Sequence, residues 1–195
     1  PTIGGAEAIL IALGSVADPD DEILVFEPLY SGFRSTAAIL NINLVPVPLR
    51  FENGFALPSL TIMDALVTKK TKAIVVINPD NPTGKSWTRE ELATIVAFAE
   101  AHNLFVISDE TYREIVFETT PVCLLQMPEA RERTIIIDSL SKRFSAPGAR
   151  IGAIISYHEG VMRAALKVAM ARLSAPMLEQ SAVITLLQDG QRFVG

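Results

Sequence analysis

Six short apolar runs punctuate the chain: ILVF at 23–26, NLVPV at 43–47, AIVVI at 73–77, LFVIS at 104–108, TIIID at 134–138 and IGAIIS at 151–156. Each is short, rich in Ile and Val, and bounded by turn-forming residues, which is the pattern of buried strands. Between them GGAEAILIALGSVA, LYSGFRSTAAIL, PSLTIMDALV and SWTREELATIVAFAEAH repeat their apolar residues at helical spacing. The last of these opens on Thr88 with Glu91 three residues later, a capping box that predicts a helix start. Strands alternating with helices predict an α/β fold: a three-layer α/β/α domain around a mostly parallel sheet.

The two ends depart from that scheme. A sheet of this kind ordinarily leads a strand into its first glycine-rich loop, yet Gly4-Gly5 stand almost at the start. At the other end, GVMRAALKVAMARL and PMLEQSAVITLLQDG are helical runs separated by Pro176, with no further strand to cover their apolar faces. The expectation is one domain over residues 1–195, incomplete at both ends, with an N-terminal segment and a smaller C-terminal domain lying outside it.

Composition narrows the function. With 49% hydrophobic residues against 20% charged, the chain suits a sheet covered on both faces, or a piece of a larger protein. A net charge of -5 with no run of Lys or Arg argues against a nucleic-acid partner. Cys123 is the single cysteine, so no internal disulfide forms, and His102 and His158 lie too far apart to read as metal ligands. Both histidines read as surface or helix-end residues. The longest apolar run, AILIAL at 8–13, is far too short to span a membrane, and no signal peptide opens the sequence. A cytoplasmic protein with no membrane partner is expected.

The segment INPDNPTGKSW at 77–87 ends like a phosphate-binding P-loop. A P-loop needs glycine where this chain has Pro79, and proline has neither the N–H nor the backbone freedom to wrap a phosphate. The segment belongs to another kind of site. In α/β sheets, sites form beyond the carboxyl ends of the strands, and here those positions are unusually polar. AIVVI is followed by Asn78-Pro79-Asp80-Asn81-Pro82-Thr83-Gly84, LFVIS by Asp109-Glu110-Thr111-Tyr112, and TIIID by Ser139-Leu140-Ser141-Lys142. Each taken alone reads as a turn, a helix cap or a solvated loop.

Taken in order, G-G-A-E-A, P-x-Y, N-P-x-N-P-T-G, D-E-x-Y and S-x-S-K with R-x-G eight residues beyond the lysine resemble the fold-type I, class I/II pyridoxal-phosphate aminotransferases, from Gly4 to about Gly152. The resemblance implies pyridoxal 5'-phosphate as cofactor and transfer of an amino group from an amino acid to a 2-oxo acid, 2-oxoglutarate above all, by a homodimer. It makes Lys142 the amine that forms the Schiff base, Asp109 the carboxylate facing the pyridine nitrogen, and Tyr112 the phenol donating to the ring oxygen. Asn81 would bond the same oxygen and help hold the substrate carboxylate. Gly5, Ala6 and Glu7 would offer backbone N–H groups to the cofactor phosphate, with Ser139, Ser141 and Arg150 completing the cup. Tyr30, in EPLY, would stack on the ring. Ala6 stands where many relatives carry a hydroxyl, so one phosphate contact is lost. Arg143, directly after the lysine, takes no role in this reading. The same cofactor set would serve a β-lyase of this fold, and a non-catalytic regulator can carry such a domain. Ser139-Leu140-Ser141-Lys142 also satisfies the S-x-x-K pattern of serine β-lactamases, but the S-D-N and K-T-G that accompany it there do not occur. The groups that select the amino donor would lie in the C-terminal domain and the partner subunit.

Overall fold

The computed structural model describes residues 1–118 and 120–188. Seven strands form one sheet in the order β1 (Thr2–Ile3), β7 (Ile151–Ile155), β6 (Thr134–Ser139), β5 (Phe105–Asp109), β4 (Thr71–Ile77), β2 (Glu22–Glu27) and β3 (Asn43–Pro48). Strands β2 to β6 run parallel, β7 lies antiparallel to β6, and β1 is antiparallel to β7. The helices are α1 (Gly4–Val16), α2 (Ser31–Leu40), α3 (Leu60–Asp64), α4 (Arg89–Ala101), α5 (Leu140–Arg143), α6 (Glu159–Met170) and α7 (Met177–Gln188). The three-layer α/β/α fold expected from the pattern is the one observed.

Alternation along the strands builds a separate core on each face. Ile23, Val25, Ala73, Val75 and Ile77 point to the face covered by α1 and α2, where Ile9, Leu13 and Phe33 are buried. Leu24, Phe26, Ile74 and Val76 point to the opposite face, against Trp87 and the inner stripe of α4 at Leu92, Ile95 and Phe98. With both faces covered, the parallel strands can be apolar throughout.

The structure adds to or departs from the pattern in three places. The run PSLTIMDALV forms only the short α3, because Met63 is its sole fully buried member and Leu60 and Ile62 face solvent, leaving no apolar stripe to hold a longer helix. IGAIIS runs antiparallel, since the connection from β6 holds only the four-residue α5 and a turn, too little for a parallel crossover. The two-residue β1 was invisible in the pattern. The run PMLEQSAVITLLQDG is helical through Gln188, and its last residues, Asp189 and Gly190, lie outside the described residues.

The capping box forms as predicted: Thr88 Oγ1 accepts from Glu91 N at 3.2 Å and Glu91 Oε2 accepts from Thr88 N at 3.0 Å. The other oxygen of Glu91 accepts from Lys85 Nζ at 2.8 Å, and that ammonium sits 4.5 Å from the centre of the Trp87 ring. The lysine of the P-loop-like GKS is therefore spent on a structural pair. Burial pushes the Glu91 carboxyl up, but the Lys85 hydrogen bond and charge with the Thr88 and Leu57 amides outweigh it, and the net shift is downward. Replacing Glu91 with Ala removes the carboxylate half of the capping box and strands a largely buried ammonium, and is expected to cost about 2 kcal/mol of stability. Glu91→Gln, which keeps the cap, should cost about half as much. Denaturant midpoints of the two variants check this.

Candidate active site

Pairing of Ile77 with Asp109 and of Asp109 with Ile137 ends three parallel strands at one edge of the sheet. The loops that follow open together on a cavity of about 290 Å³. Ten of the eleven residues expected at the site line it: Gly5 and Ala6 from α1, Tyr30 before α2, Asn81 after β4, Asp109 and Tyr112 at the end of β5, Ser139, Ser141 and Lys142 around α5, and Arg150 before β7.

Glu7 is the exception. Its side chain does not line the cavity. Its carboxylate turns back to accept from Ile3 N at 2.7 Å and from Arg172 Nε at 2.7 Å. The Glu7 side chain thus ties the first turn of α1 to the segment just after α6.

One end of the cavity is built for an anion. No side chain caps α1, so the backbone donors of its first turn are free beside Gly5 and Ala6. Arg150, in the left-handed conformation at φ 50°, lays its guanidinium over this turn and donates to Ile3 O at 3.3 Å and Pro147 O at 3.0 Å. A Cβ on Gly4 would come within 2.3 Å of Arg150 Nη2, and Gly4 itself has φ +70°, so this close approach requires glycine. Ser139, the N-cap of α5, accepts from Ser141 N, and its hydroxyl lies 2.9 Å from that of Ser141. Free amides, two hydroxyls and a guanidinium fit a phosphate dianion.

The other end holds a carboxylate without a counter-charge. Asp109 is 7% exposed, accepts from Thr111 N at 3.1 Å, and makes no ion pair among the described residues. Burial pushes its carboxyl up to about 6; the hydrogen bonds from Thr111 pull it down, and the charges of Asp138 and Glu110 push it up. Such a group is completed by a cationic N–H donor, which a protonated pyridine supplies. Lys142 also makes no hydrogen bond or ion pair among the described residues, its ammonium standing 5.5 Å from the Tyr112 ring centre. An unengaged amine, a phenol and a carboxylate in need of a cation fit the ring and aldehyde of pyridoxal phosphate.

The folded-state pKa of Asp109 lies above its unfolded value of about 4, so in the cofactor-free protein its contribution to stability is greatest at low pH and is lost as pH rises from about 4 to about 6. The loss amounts to about 3 kcal/mol, and Asp109→Asn should abolish it and exceed the parent in stability at pH 7. Parallel denaturant titrations of the two cofactor-free proteins between pH 4 and pH 8 measure the difference.

Several residues at the site escaped sequence reasoning. Asn78, 4% exposed, accepts from Trp87 N at 3.1 Å and donates to Val122 O at 3.2 Å, so the first asparagine of the NPDNPTG segment is a brace for the loop. Thr111, Ile9, Ile77 and Pro147 also line the cavity. Thr111 stood inside the D-E-x-Y motif and was readable there; the other three become visible only once the sheet is assembled. The histidines sit at helix ends as expected, His102 closing α4 beside Asp64 and His158 capping α6.

Residues 2–194 match the family described as aminotransferase class I and II. The chain is 34% identical over 155 residues to an aspartate aminotransferase of Thermotoga maritima, covering 80% of this chain and 41% of that protein. It is 34% identical over 154 residues to an arginine–pyruvate transaminase of Pseudomonas aeruginosa, covering 78% and 39%. The solved structure of N-succinyldiaminopimelate aminotransferase from Mycobacterium tuberculosis superposes with a TM-score of 0.90 at 32% identity, over 99% of this chain and 50% of that one. The chain thus spans about half the length or less of these relatives. A match over nearly its whole length, with the motifs gathered at one edge of the sheet, means that the chain belongs to the class I and II aminotransferases.

Proposed function

We propose that the protein carrying this chain is a pyridoxal-phosphate-dependent aminotransferase that passes the amino group of an amino acid to a 2-oxo acid, 2-oxoglutarate being the acceptor. Residues 1–195 serve as its cofactor-binding large domain. It works as a homodimer in the cytoplasm; among the described residues no helix is long and apolar enough to cross a membrane. The observation that carries the proposal is the pairing, in one cavity, of the unengaged amine of Lys142 with the buried, uncompensated carboxylate of Asp109.

Bound pyridoxal phosphate supplies an aldehyde that takes up an amine and a ring that draws electrons from the substrate α-carbon. The residues of this chain do the rest. Lys142 would hold the cofactor covalently and move a proton at its amine nitrogen. Asp109 would keep the ring nitrogen protonated in a low-dielectric site, and Tyr112 and Asn81 would donate to the ring oxygen. Asn81 also helps hold the substrate carboxylate. Gly5, Ala6, Ser139, Ser141 and Arg150 anchor the phosphate, and Tyr30 covers the ring.

A half-reaction tests the proposal. The full-length protein, loaded with cofactor and mixed with a panel of amino acids in the absence of any acceptor, should release one equivalent of keto acid per site and no ammonia. Adding 2-oxoglutarate should then yield glutamate. Release of pyruvate and ammonia would overturn transamination in favour of the β-lyase.

A further inference from the structure

Arg143 follows Lys142 directly, yet it does not line the cavity. Its guanidinium lies behind, 15% exposed, with Nη2 donating to Asp138 Oδ2 at 2.9 Å and standing 3.6 Å from Glu114 Oε1. Arg113 reaches the same two acids from the other side, with Asp138 Oδ2 at 3.4 Å and Glu114 Oε1 at 3.7 Å, and it binds the fully buried Glu110 at 2.9 Å. Glu110 accepts in addition from Leu124 N and Ser108 Oγ. Asp138 accepts from Ser139 N at 2.7 Å through its second oxygen.

The residues that link the cavity to this cluster fall into two stretches. Asp109, Tyr112 and Arg113 belong to the end of β5 and the segment after it; Asp138, Ser139, Ser141, Lys142 and Arg143 belong to the end of β6 and α5. Each stretch sends some side chains into the cavity and others into the charged cluster behind it. We propose that Arg143, together with Arg113, is a positioning residue: through Asp138 the two guanidiniums clamp the segment bearing Lys142 to the segment bearing Asp109 and Tyr112, and they neutralise the acids behind the cavity. The proposal rests on the function proposed above.

Two consequences follow from geometry and charge. Removing Arg143 leaves Asp138 only the longer 3.4 Å pairing with Arg113, and removing Arg113 leaves the buried Glu110 unpaired; either change frees the two segments to shift, and misplacement of reacting groups by about an ångström costs on the order of a hundredfold in rate. Either change also exposes the cavity to the charge of Asp138. The charged or titratable groups facing Asp109 are Lys142, Tyr112, Tyr30 and Arg150 across the cavity and Glu110 and Asp138 behind it. Of these, Asp138 and Glu110 are the ones already felt by Asp109 as like charges. The arginines are what keeps that influence small.

The test uses the full-length protein loaded with cofactor, in wild-type form and as Arg143→Met, Asp138→Asn, the double variant and Arg143→Lys. The pH at which the visible band of the lysine-bound cofactor titrates should rise by roughly one unit in Arg143→Met, where an anion is unmasked, and fall in Asp138→Asn, where a cation is. The double variant should return close to the wild-type midpoint, and Arg143→Lys should stay near it. Half-reaction rate in Arg143→Met should drop roughly 10- to 100-fold. Thermal unfolding of the cofactor-free variants separates this from collapse of the fold, and Asp138→Asn serves should Arg143→Met fail to fold. Opposite shifts that cancel in the double variant cannot arise from a purely structural role. Midpoints that coincide in all folded variants would overturn the clamp while leaving the cofactor assignment standing; a wild-type protein that binds no cofactor would overturn both.

Discussion

Lys142→Ala is expected to lower the rate of amino-group transfer by roughly four to six orders of magnitude, the largest effect of any single substitution in the chain. The reason is that one side chain has two tasks. In the proposed function it holds the cofactor and moves the proton, and the remaining titratable groups of the cavity, an acid, two phenols and an arginine, offer no second amine. The phosphate cup is untouched by the change, so the variant should still bind cofactor through Gly5, Ala6, Ser139, Ser141 and Arg150. What it loses is the covalent link. Spectral titration with pyridoxal phosphate and a single-turnover assay separate the two: retained binding with no turnover is the predicted pair, and activity within tenfold of wild type would place the base on another residue.

Asp109→Ala should slow removal of the substrate α-proton by roughly three orders of magnitude or more, again with cofactor still bound. Asp109 is the only carboxylate among the described residues lining the cavity, and in the proposed function it would keep the ring nitrogen charged; without it the ring would accept electrons poorly. Asp109→Glu retains the charge but displaces it, and should do less damage. Removing the charge as Asp109→Asn acts oppositely on the fold. Asp109 is a burden to the cofactor-free protein at neutral pH, because burial has pushed its carboxyl up to about 6. Activity lost and stability gained from one position is the signature expected of a residue kept for function.

How far the sequence carried the reading can be traced to particular residues. The strands β2 to β6 were legible because unbroken Ile and Val runs have no other use in an α/β chain, and their carboxyl ends located the site before any coordinates did. The direction of β7 was not legible, since hydrophobic pattern is the same for either orientation and only the short connection through α5 decides it. Glu7 was assigned to the phosphate cup from its place in G-G-A-E-A. Its side chain turns instead to Ile3 N and Arg172, a partner 165 residues away that no local motif announces. Arg143 looked idle beside Lys142 because its partners, Asp138, Glu114 and through them Arg113, come together only when β5 and β6 are laid side by side. Motifs reveal the residues that touch a ligand; the charges that brace them are scattered between motifs.

The central claim is that the cavity holds pyridoxal phosphate on Lys142. The most direct measurement is reduction of the full-length protein, as purified with cofactor, by borohydride, followed by digestion and mass mapping of the peptides. The account predicts one pyridoxyl-phosphate adduct per chain, on the peptide containing Ser139-Leu140-Ser141-Lys142 and on the lysine itself, with no adduct in Lys142→Ala. An adduct on Lys85 or any other lysine, or none on a protein that still transaminates, would contradict it.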